Sequence, residues 1–448
     1  MISFTDQVFQ LSQIRFFLLL LIGFVLSPEL TAGNPGLLAG PVCGSVTENS
    51  VKIWICYQGE GDHAISLLDT QTNNVFLPVD FAYVRDRKNR IAVTFIFREL
   101  MPDRYYRIQL RINGKNEKGK FGFYTQPETP ADSFTFLAGS CALMNTDLSR
   151  IFFPGTAIRI YPSMQREKAA FMLWLGDNVY YYGKQHTDPN RMFERNLSVR
   201  RKFPLFKRFL TAQPHYAIWD DHDYGWNNAN KSFPLKDTAL AVFRGFWPNT
   251  YPDVAELKGN FFSFRHGHAE FFMTDDRYFR DAPGTDSARM LGDIQMSWLK
   301  NRLIASTAPF KFICVGTQVL NTSDFDEDYL DYPKERQELL DFLKAQRIAG
   351  VVFLTGDKHY AEISREEKEG YPLYDFTTSP LTSPVLPRKL LNWQPNETQI
   401  PGMDFGRRNY GRVTVVKAGD EYRCVLEICS AGGKRVRRHV ISSREWSK

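Results

Sequence analysis

The run Val351-Val352-Phe353-Leu354-Thr355-Gly356-Asp357-Lys358-His359 decides how this chain is read. Four consecutive apolar residues, β-branched and aromatic among them, predict a short strand buried on both faces. The strand stops at a glycine, and the turn beyond it carries a carboxylate and an imidazole. Three other segments also run from a short apolar strand into a turn that carries a metal-type side chain. Phe171-Met172-Leu173-Trp174-Leu175 ends in Gly176-Asp177-Asn178, and Tyr216-Ala217-Ile218 ends in Trp219-Asp220-Asp221-His222-Asp223. Phe134-Thr135-Phe136-Leu137-Ala138 ends in Gly139-Ser140-Cys141. Sites in open α/β sheets form at the carboxyl ends of strands. Four such ends delivering aspartate, histidine and cysteine point to a metal centre of hydrolytic type.

The surroundings extend this reading. From Ser133 onward, apolar strands (Lys311 to Val315, Gly350 to Leu354) alternate with helical spacing over Met296 to Leu303 and Glu335 to Ala345. That alternation predicts a layered sheet covered by helices. Strands return at Arg412 to Val416 and Glu421 to Ile428. Upstream, residues 41–125 read as all-β, with alternation over Val51 to Ile55 and Arg107 to Ile112. Asn113-Gly114 is a two-residue hairpin turn signal. Short strands between turn residues predict a β-sandwich, and the proline-bearing stretch 126–132 reads as a linker.

Composition narrows the class. A chain of 448 residues suggests two or three domains. Its 43% hydrophobic and 14% aromatic content supports a large core. A net charge of +6 suits anionic substrates, but no basic run with interleaved aromatics predicts a dedicated nucleic-acid partner. Arg15 precedes the apolar run Phe16 to Leu26, and small residues follow at Thr31 to Gly33. This run is too short to span a bilayer and predicts a signal peptide over residues 1–33, hence an exported protein. No later stretch predicts a transmembrane segment. Of the six cysteines, Cys43 and Cys56 fall on neighbouring strands of one predicted hairpin, where a bridge is conceivable.

The ordered motifs Gly139-Ser140-Cys141, Gly176-Asp177-Asn178-Val179-Tyr180, Trp219-Asp220-Asp221-His222-Asp223 with Asn227-Asn228, Asp275-Asp276-Arg277 and Gly356-Asp357-Lys358-His359 resemble alkaline phosphatase D-type metallophosphatases. This group lies within the calcineurin-like phosphoesterase superfamily. The helix Gln295 to Leu299, the turn Thr377-Thr378-Ser379-Pro380 and Gly44-Ser45-Val46 add to the resemblance. It implies an α/β fold with an Ig- or fibronectin-like β-sandwich over residues 38–126. A four-layer α/β/β/α metallophosphoesterase domain would follow over 133–440. It implies iron and calcium as cofactors, with Cys141, Asp177 and Tyr180 on the iron. Asp221, Asn227 (or its neighbour Asn228), Asp357 and His359 would complete the cluster. A donor set of this kind also accommodates zinc, manganese or another divalent metal. His222 and Asp221 would serve catalysis, with Arg277 as a supporting contact.

The reaction implied is hydrolysis of a phosphate mono- or diester, with metal-bound hydroxide attacking phosphorus in line. The rival readings are a non-catalytic envelope-binding protein with a decayed hydrolase domain and a metal-dependent hydrolase of a non-phosphate ester. Asp223 stands where the family commonly has glutamate, Asp276 where threonine is usual, and Lys358 where arginine is common. Arg200-Arg201-Lys202 reads as a solvated helix face, and Asp324 to Asp331 as a solvated acidic loop. The segments 184–203 and 322–336 read as long loops that could cap the site.

Overall fold

The computed structural model describes residues 36–447 except 60, 118, 120, 145–156, 252–256, 324–326 and 386–393. The predicted signal peptide lies outside the described residues. Residues 37–124 build two antiparallel sheets. One orders its strands Leu37–Gly44, Val51–Gln58, Arg90–Phe97 and Asp80–Arg85. The other runs Val75–Phe76, His63–Asp69, Tyr105–Ile112 and Lys115–Asn116, with Phe121–Tyr124 also paired to Tyr105–Ile112. Alternation over Tyr105–Ile112 sends Tyr106, Ile108, Leu110 and Ile112 inward. Asn113 and Gly114, at φ of 52° and 71°, turn the chain so that Ile112 faces Lys115. This is the two-residue hairpin the sequence predicts.

The remainder is layered. A six-stranded sheet has the order His215–Ile218, Met172–Leu175, Ser133–Gly139, Asn409–Ala418, Glu421–Ser430, Arg435–Ser442. A seven-stranded sheet has the order Phe262–His266, Ala269–Met273, Phe310–Cys314, Val351–Thr355, Tyr371–Thr377, Ala361–Lys368, Gln399–Phe405. The sheets face each other across one core containing Phe136, Leu173, Ile218, Phe271, Phe312 and Leu354. Their period-2 alternation explains the continuous apolar runs. Leu173 and Leu175 point into that core, while Met172 and Trp174 point out to a second core under the helices Ile160–Arg166, Pro189–Lys202, Pro204–Leu210 and Lys236–Phe246. The helices Gly292–Ala305 and Pro333–Ala345 cover the other sheet through Leu299, Leu339, Leu343, Ile313 and Phe353. Burying each such side chain contributes about 1.5–3 kcal/mol.

Several expectations are corrected. Residues 184–203 are not a loop, because Gly183–His186 is a 3-10 turn and Pro189–Lys202 a helix capped by Asp188. Part of 322–336 is likewise helical, over Tyr329–Asp331 and from Pro333 onward. Arg200 is not solvated. It is 2% exposed and lies over the rings of Trp54, Phe246 and Trp247, with its guanidinium donating to the Asn196 and Phe246 carbonyls. All six cysteines are free. Cys43 points into the core between the first two sheets and Cys56 into the helical core, so they sit on opposite faces of one sheet and cannot bridge. The first two sheets also join the layered part directly. Trp54 Nε1 donates to the Gly245 carbonyl at 2.7 Å, and Ser45 Oγ to the Pro248 carbonyl at 2.8 Å.

Candidate metal centre

The strands ending at Gly139, Leu175, Ile218, Met273, Cys314, Thr355 and Thr377 converge, and the turns after them build one buried site. The Cys141 turn is tied to its neighbour through the backbone. Cys141 N donates to the Gly176 carbonyl at 3.3 Å, and Ala142 N to the Asp177 carbonyl at 2.9 Å. Two glycines are required by close approach. A Cβ on Gly176 (φ 94°) would lie 2.6 Å from Asp220 Cβ, and one on Gly356 would lie 2.6 Å from the Leu175 carbonyl oxygen. The turns are sharp. Cys141, Asp177, Asp357 and His359 all take left-handed backbone conformations, with φ between 55° and 63°. Non-glycine residues adopt this region at a cost, and such positions cluster at functional sites.

The turns bring together most of the side chains the sequence singled out. One donor atom each from Cys141, Asp177 and His359 lies within 4.8 Å of the others, and the same holds for Asp177, Asp221 and His222. Cys141 Sγ is 3.7 Å from Asp177 Oδ2 and 3.4 Å from the Asp357 carbonyl oxygen. Tyr180 OH donates to Asp177 Oδ2 at 2.8 Å, and its ring stacks on His222 with centroids 4.3 Å apart. Thr317 Oγ1 donates to Asp357 Oδ2 at 3.4 Å. Of the two asparagines, Asn228 is tied to Asp221, its N–H donating to Oδ2 at 2.8 Å. The amide of Asn227 is turned onto the side chain of Asn228.

The electrostatics are those of an anionic, largely buried pocket. Asp177 is held well above the usual carboxylate range, first by burial and then by Asp221, Asp220, Asp223 and Asp357. Burial, Asp177 and Asp357 push the Cys141 thiol well up, with hydrogen bonds from Ser379 and Ser140 opposing. Tyr180 is raised by burial, Asp177 and Cys141. Asp221, unlike Asp177, is held low: burial raises it, but Arg277, His222 and the Asn228 N–H outweigh that. Carboxylates, a thiol, a phenol and an imidazole converging in one largely buried place fit metal ions, which would relieve the repulsion that raises Asp177. The thiol and phenol suit iron, and the carboxylates suit a harder cation such as calcium.

Arg277 lies beneath the site, not in it. It is fully buried, its Nε donates to Asp220 Oδ1 at 2.6 Å, and its Nη2 pairs with Asp220 and Glu327. Lys358 is 2% exposed, and its ammonium donates to the Glu327 carbonyl at 2.7 Å and faces Asp328. The described end of the acidic stretch is therefore not solvated. Glu327 pairs with Arg277 and Arg280 (2.7 Å), and Asp328 accepts from Asn321 at 2.6 Å.

Sequence reasoning assigned no role to several residues that hold the site. Asp223 accepts the N–H groups of Asn178 (3.0 Å), Val179 (2.9 Å) and Asp220 (3.2 Å), clamping two ligand turns together. Burial pushes it up to about 7. Ser379 and Ser383 touch Cys141 and Tyr180 respectively. The signal for Ser379 was present in the Thr377-Thr378-Ser379-Pro380 turn; for Ser383, a serine in a loop, there was none.

Two facing sheets with helices outside, and ligand-type side chains on the converging strand ends, define a metallophosphoesterase-type fold. A structure of PhoD shares it, with a TM-score of 0.70 over 93% of this chain and 90% of that one, at 19% identity. So does a purple acid phosphatase from yellow lupin (Lupinus luteus) seeds, with a TM-score of 0.67 over 91% and 75% of the two chains, at 10% identity. The family model for PhoD-like phosphatases matches residues 136–418, and the chain belongs to that family. Alkaline phosphatase D of Bacillus subtilis (strain 168) is 26% identical over 255 residues, 44% of this chain. The match spans 42% of that relative's length.

Proposed function

We propose that the protein is an exported, metal-dependent phosphoester hydrolase acting on phosphate mono- or diesters. The observation that carries this reading is the convergence of Cys141, Asp177, Tyr180, Asp221, Asp357 and His359 on one buried anionic pocket in a chain of the PhoD-like phosphatase family. Cys141, Asp177 and Tyr180 would hold iron. Asp221, Asp357 and His359 would complete the cluster with calcium, and Asn228, tied to Asp221, joins them in preference to Asn227. Metal ions held there supply the Lewis acidity that acidifies a water and neutralises charge on the phosphoryl oxygens.

The protein's own groups position the reaction. His222 is half-buried, stacks on Tyr180 and is anchored by its backbone N–H to Asp221 Oδ1 at 2.8 Å. That placement lets its imidazole donate to the phosphoryl oxygen or leaving group as charge builds during in-line attack. Asp221 joins the metal cluster to His222. Arg277 is a positioning residue, because its guanidinium is spent on Asp220 and Glu327. We assign residues 38–126 to a β-sandwich domain and 133–440 to the catalytic domain, with 1–33 as the leader that exports them. The test compares the protein with its Asp357→Asn variant on p-nitrophenyl phosphate and bis-p-nitrophenyl phosphate, both metal-supplied. A ligand loss should cost at least the ~10–100-fold that an outer-shell partner costs. Full activity in the variant sinks the assignment.

A further inference from the structure

The turn after the strand Tyr371–Thr377 wraps the Cys141 turn completely. Ser140 N donates to the Thr378 carbonyl at 3.1 Å, Leu381 N to the Ser140 carbonyl at 2.9 Å, and Thr382 N and Ser383 N to the Cys141 carbonyl at 3.2 and 3.1 Å. Two hydroxyls of this turn reach past the backbone to candidate ligands. Ser379 Oγ donates to Cys141 Sγ at 3.1 Å and accepts the His359 N–H at 3.0 Å, so one hydroxyl links two ligands from different strand ends. Ser383 Oγ lies 3.0 Å from Tyr180 OH. Both serines are fully buried, so no water competes for these contacts. With the His359 N–H on one lone pair, the Ser379 hydroxyl still has its own proton to give to the sulfur 3.1 Å away.

We propose that Ser379 and Ser383 are positioning residues that tune the metal: Ser379 withdraws electron density from the Cys141 sulfur and Ser383 from the Tyr180 oxygen. This rests on Cys141 and Tyr180 being metal ligands. Hydrogen bonds to a ligating sulfur set how strongly it donates to iron, and outer-shell partners orient the ligands they touch. A hydroxyl donor stabilises the sulfur lone pairs, so removing it moves sulfur-to-iron charge transfer to lower energy. It also releases the His359 backbone, so metal is held less well, by about tenfold.

The test is the visible absorption and resonance Raman spectrum of the iron-loaded protein and of its Ser379→Ala, Ser379→Thr and Ser383→Ala variants, with metal release to a chelator timed alongside. The proposal expects the thiolate band of Ser379→Ala at longer wavelength and its metal released about tenfold faster. Ser379→Thr, which keeps the hydroxyl, should restore both. Ser383→Ala should move the phenolate band and leave the thiolate band in place. A purely structural serine would lower metal content without moving the band of the protein that stays loaded, and that result overturns the proposal. A parent protein with iron bound but no thiolate band overturns it together with the ligand assignment of Cys141. A parent band that Ser379→Ala leaves unmoved overturns the tuning role alone.

Discussion

Asp223 accepts the backbone N–H of Asn178 at 3.0 Å, so a carboxylate one residue beyond His222 holds the turn that carries Asp177. The same carboxylate takes the Val179 N–H and the Asn178 side chain (3.1 Å). Asp223→Ala removes the acceptor for several buried donors at once. Each donor left unsatisfied costs about 1–3 kcal/mol. We expect a loss of at least ~2 kcal/mol in urea unfolding and a matching loss of hydrolysis, because Asp177 and His222 lose their common anchor. Unchanged stability would remove Asp223 from this role.

Arg277 is the internal counter-charge of the site's floor. With Asp220 and Glu327 engaged and Asp276 beside it, Arg277→Met takes the paired guanidinium from buried Asp220 and leaves Glu327 with Arg280 alone. Breaking a buried pair from one side costs about 3–5 kcal/mol. Asp221, held low chiefly by Arg277, should rise toward protonation in the variant. Chemical denaturation and metal content measure the two consequences. A variant as stable and as well loaded as the parent would show that the floor does not depend on this guanidinium.

Removing a charge should separate metal binding from folding. Burial and Asp221 raise Asp177 well above its ordinary range, so its ionised form works against the metal-free fold. Asp177→Asn should therefore melt higher than the parent when both are chelated. With metal supplied the order should reverse, because only the parent gains the stabilisation that bound metal gives a native state. Differential scanning calorimetry at neutral pH, with and without chelator, reads both. The same order in both conditions would argue against Asp177 as a ligand.

Acid sensitivity should come from a buried imidazole at the first position of the strand His215–Ile218, outside the candidate ligand set. His215 is fully buried, accepts Trp174 Nε1 at Nδ1 (3.1 Å), and burial drops it to about 3. Its ordinary value is about 6.5, so the unfolded chain takes a proton that the folded chain refuses. Its contribution is complete above pH ~6.5 and is lost as pH falls toward 3, at up to about 1.4 kcal/mol per pH unit. Melting temperatures between pH 7 and 4 should fall less steeply in His215→Asn, which keeps an acceptor for Trp174. Equal slopes would place the acid sensitivity elsewhere.

The strand ends were legible because chemistry and pattern coincide there: an apolar run long enough for one strand, then a turn carrying a carboxylate, imidazole or thiol, with a glycine between them at Gly139, Gly176 and Gly356. Cys141, Asp177, Asp221, Asp357 and His359 stood out as candidate ligands that way, and the fold class followed from the alternation around them. What the sequence hid is pairing across the fold. Arg277 and Lys358 stand in the site's motifs, yet Arg277 is engaged by Asp220 and Glu327, and Lys358 by the Glu327 carbonyl, Asp328 and Asp357. Arg200 carries the same charge as its solvated neighbours Arg201 and Lys202, and only the helix phase turns it onto Trp54. Loop and helix were confused over 184–203 because Asp188-Pro189 marks a helix start that Gly183 and His186 obscure. The Thr377-Thr378-Ser379-Pro380 turn flagged Ser379, but Ser383 stands in a loop without any signal, because a serine announces nothing until its neighbours are known.

The central claim is that this pocket hydrolyses phosphate esters by means of bound metal. The most direct measurement is release of p-nitrophenol from p-nitrophenyl phosphate and bis-p-nitrophenyl phosphate by the purified protein. It is made as purified, after chelation, and after iron and calcium are returned. The account predicts hydrolysis of at least one ester, its loss on chelation and its recovery with metal. Hydrolysis that survives complete removal of metal, or no hydrolysis of either ester once metal is restored, would contradict it.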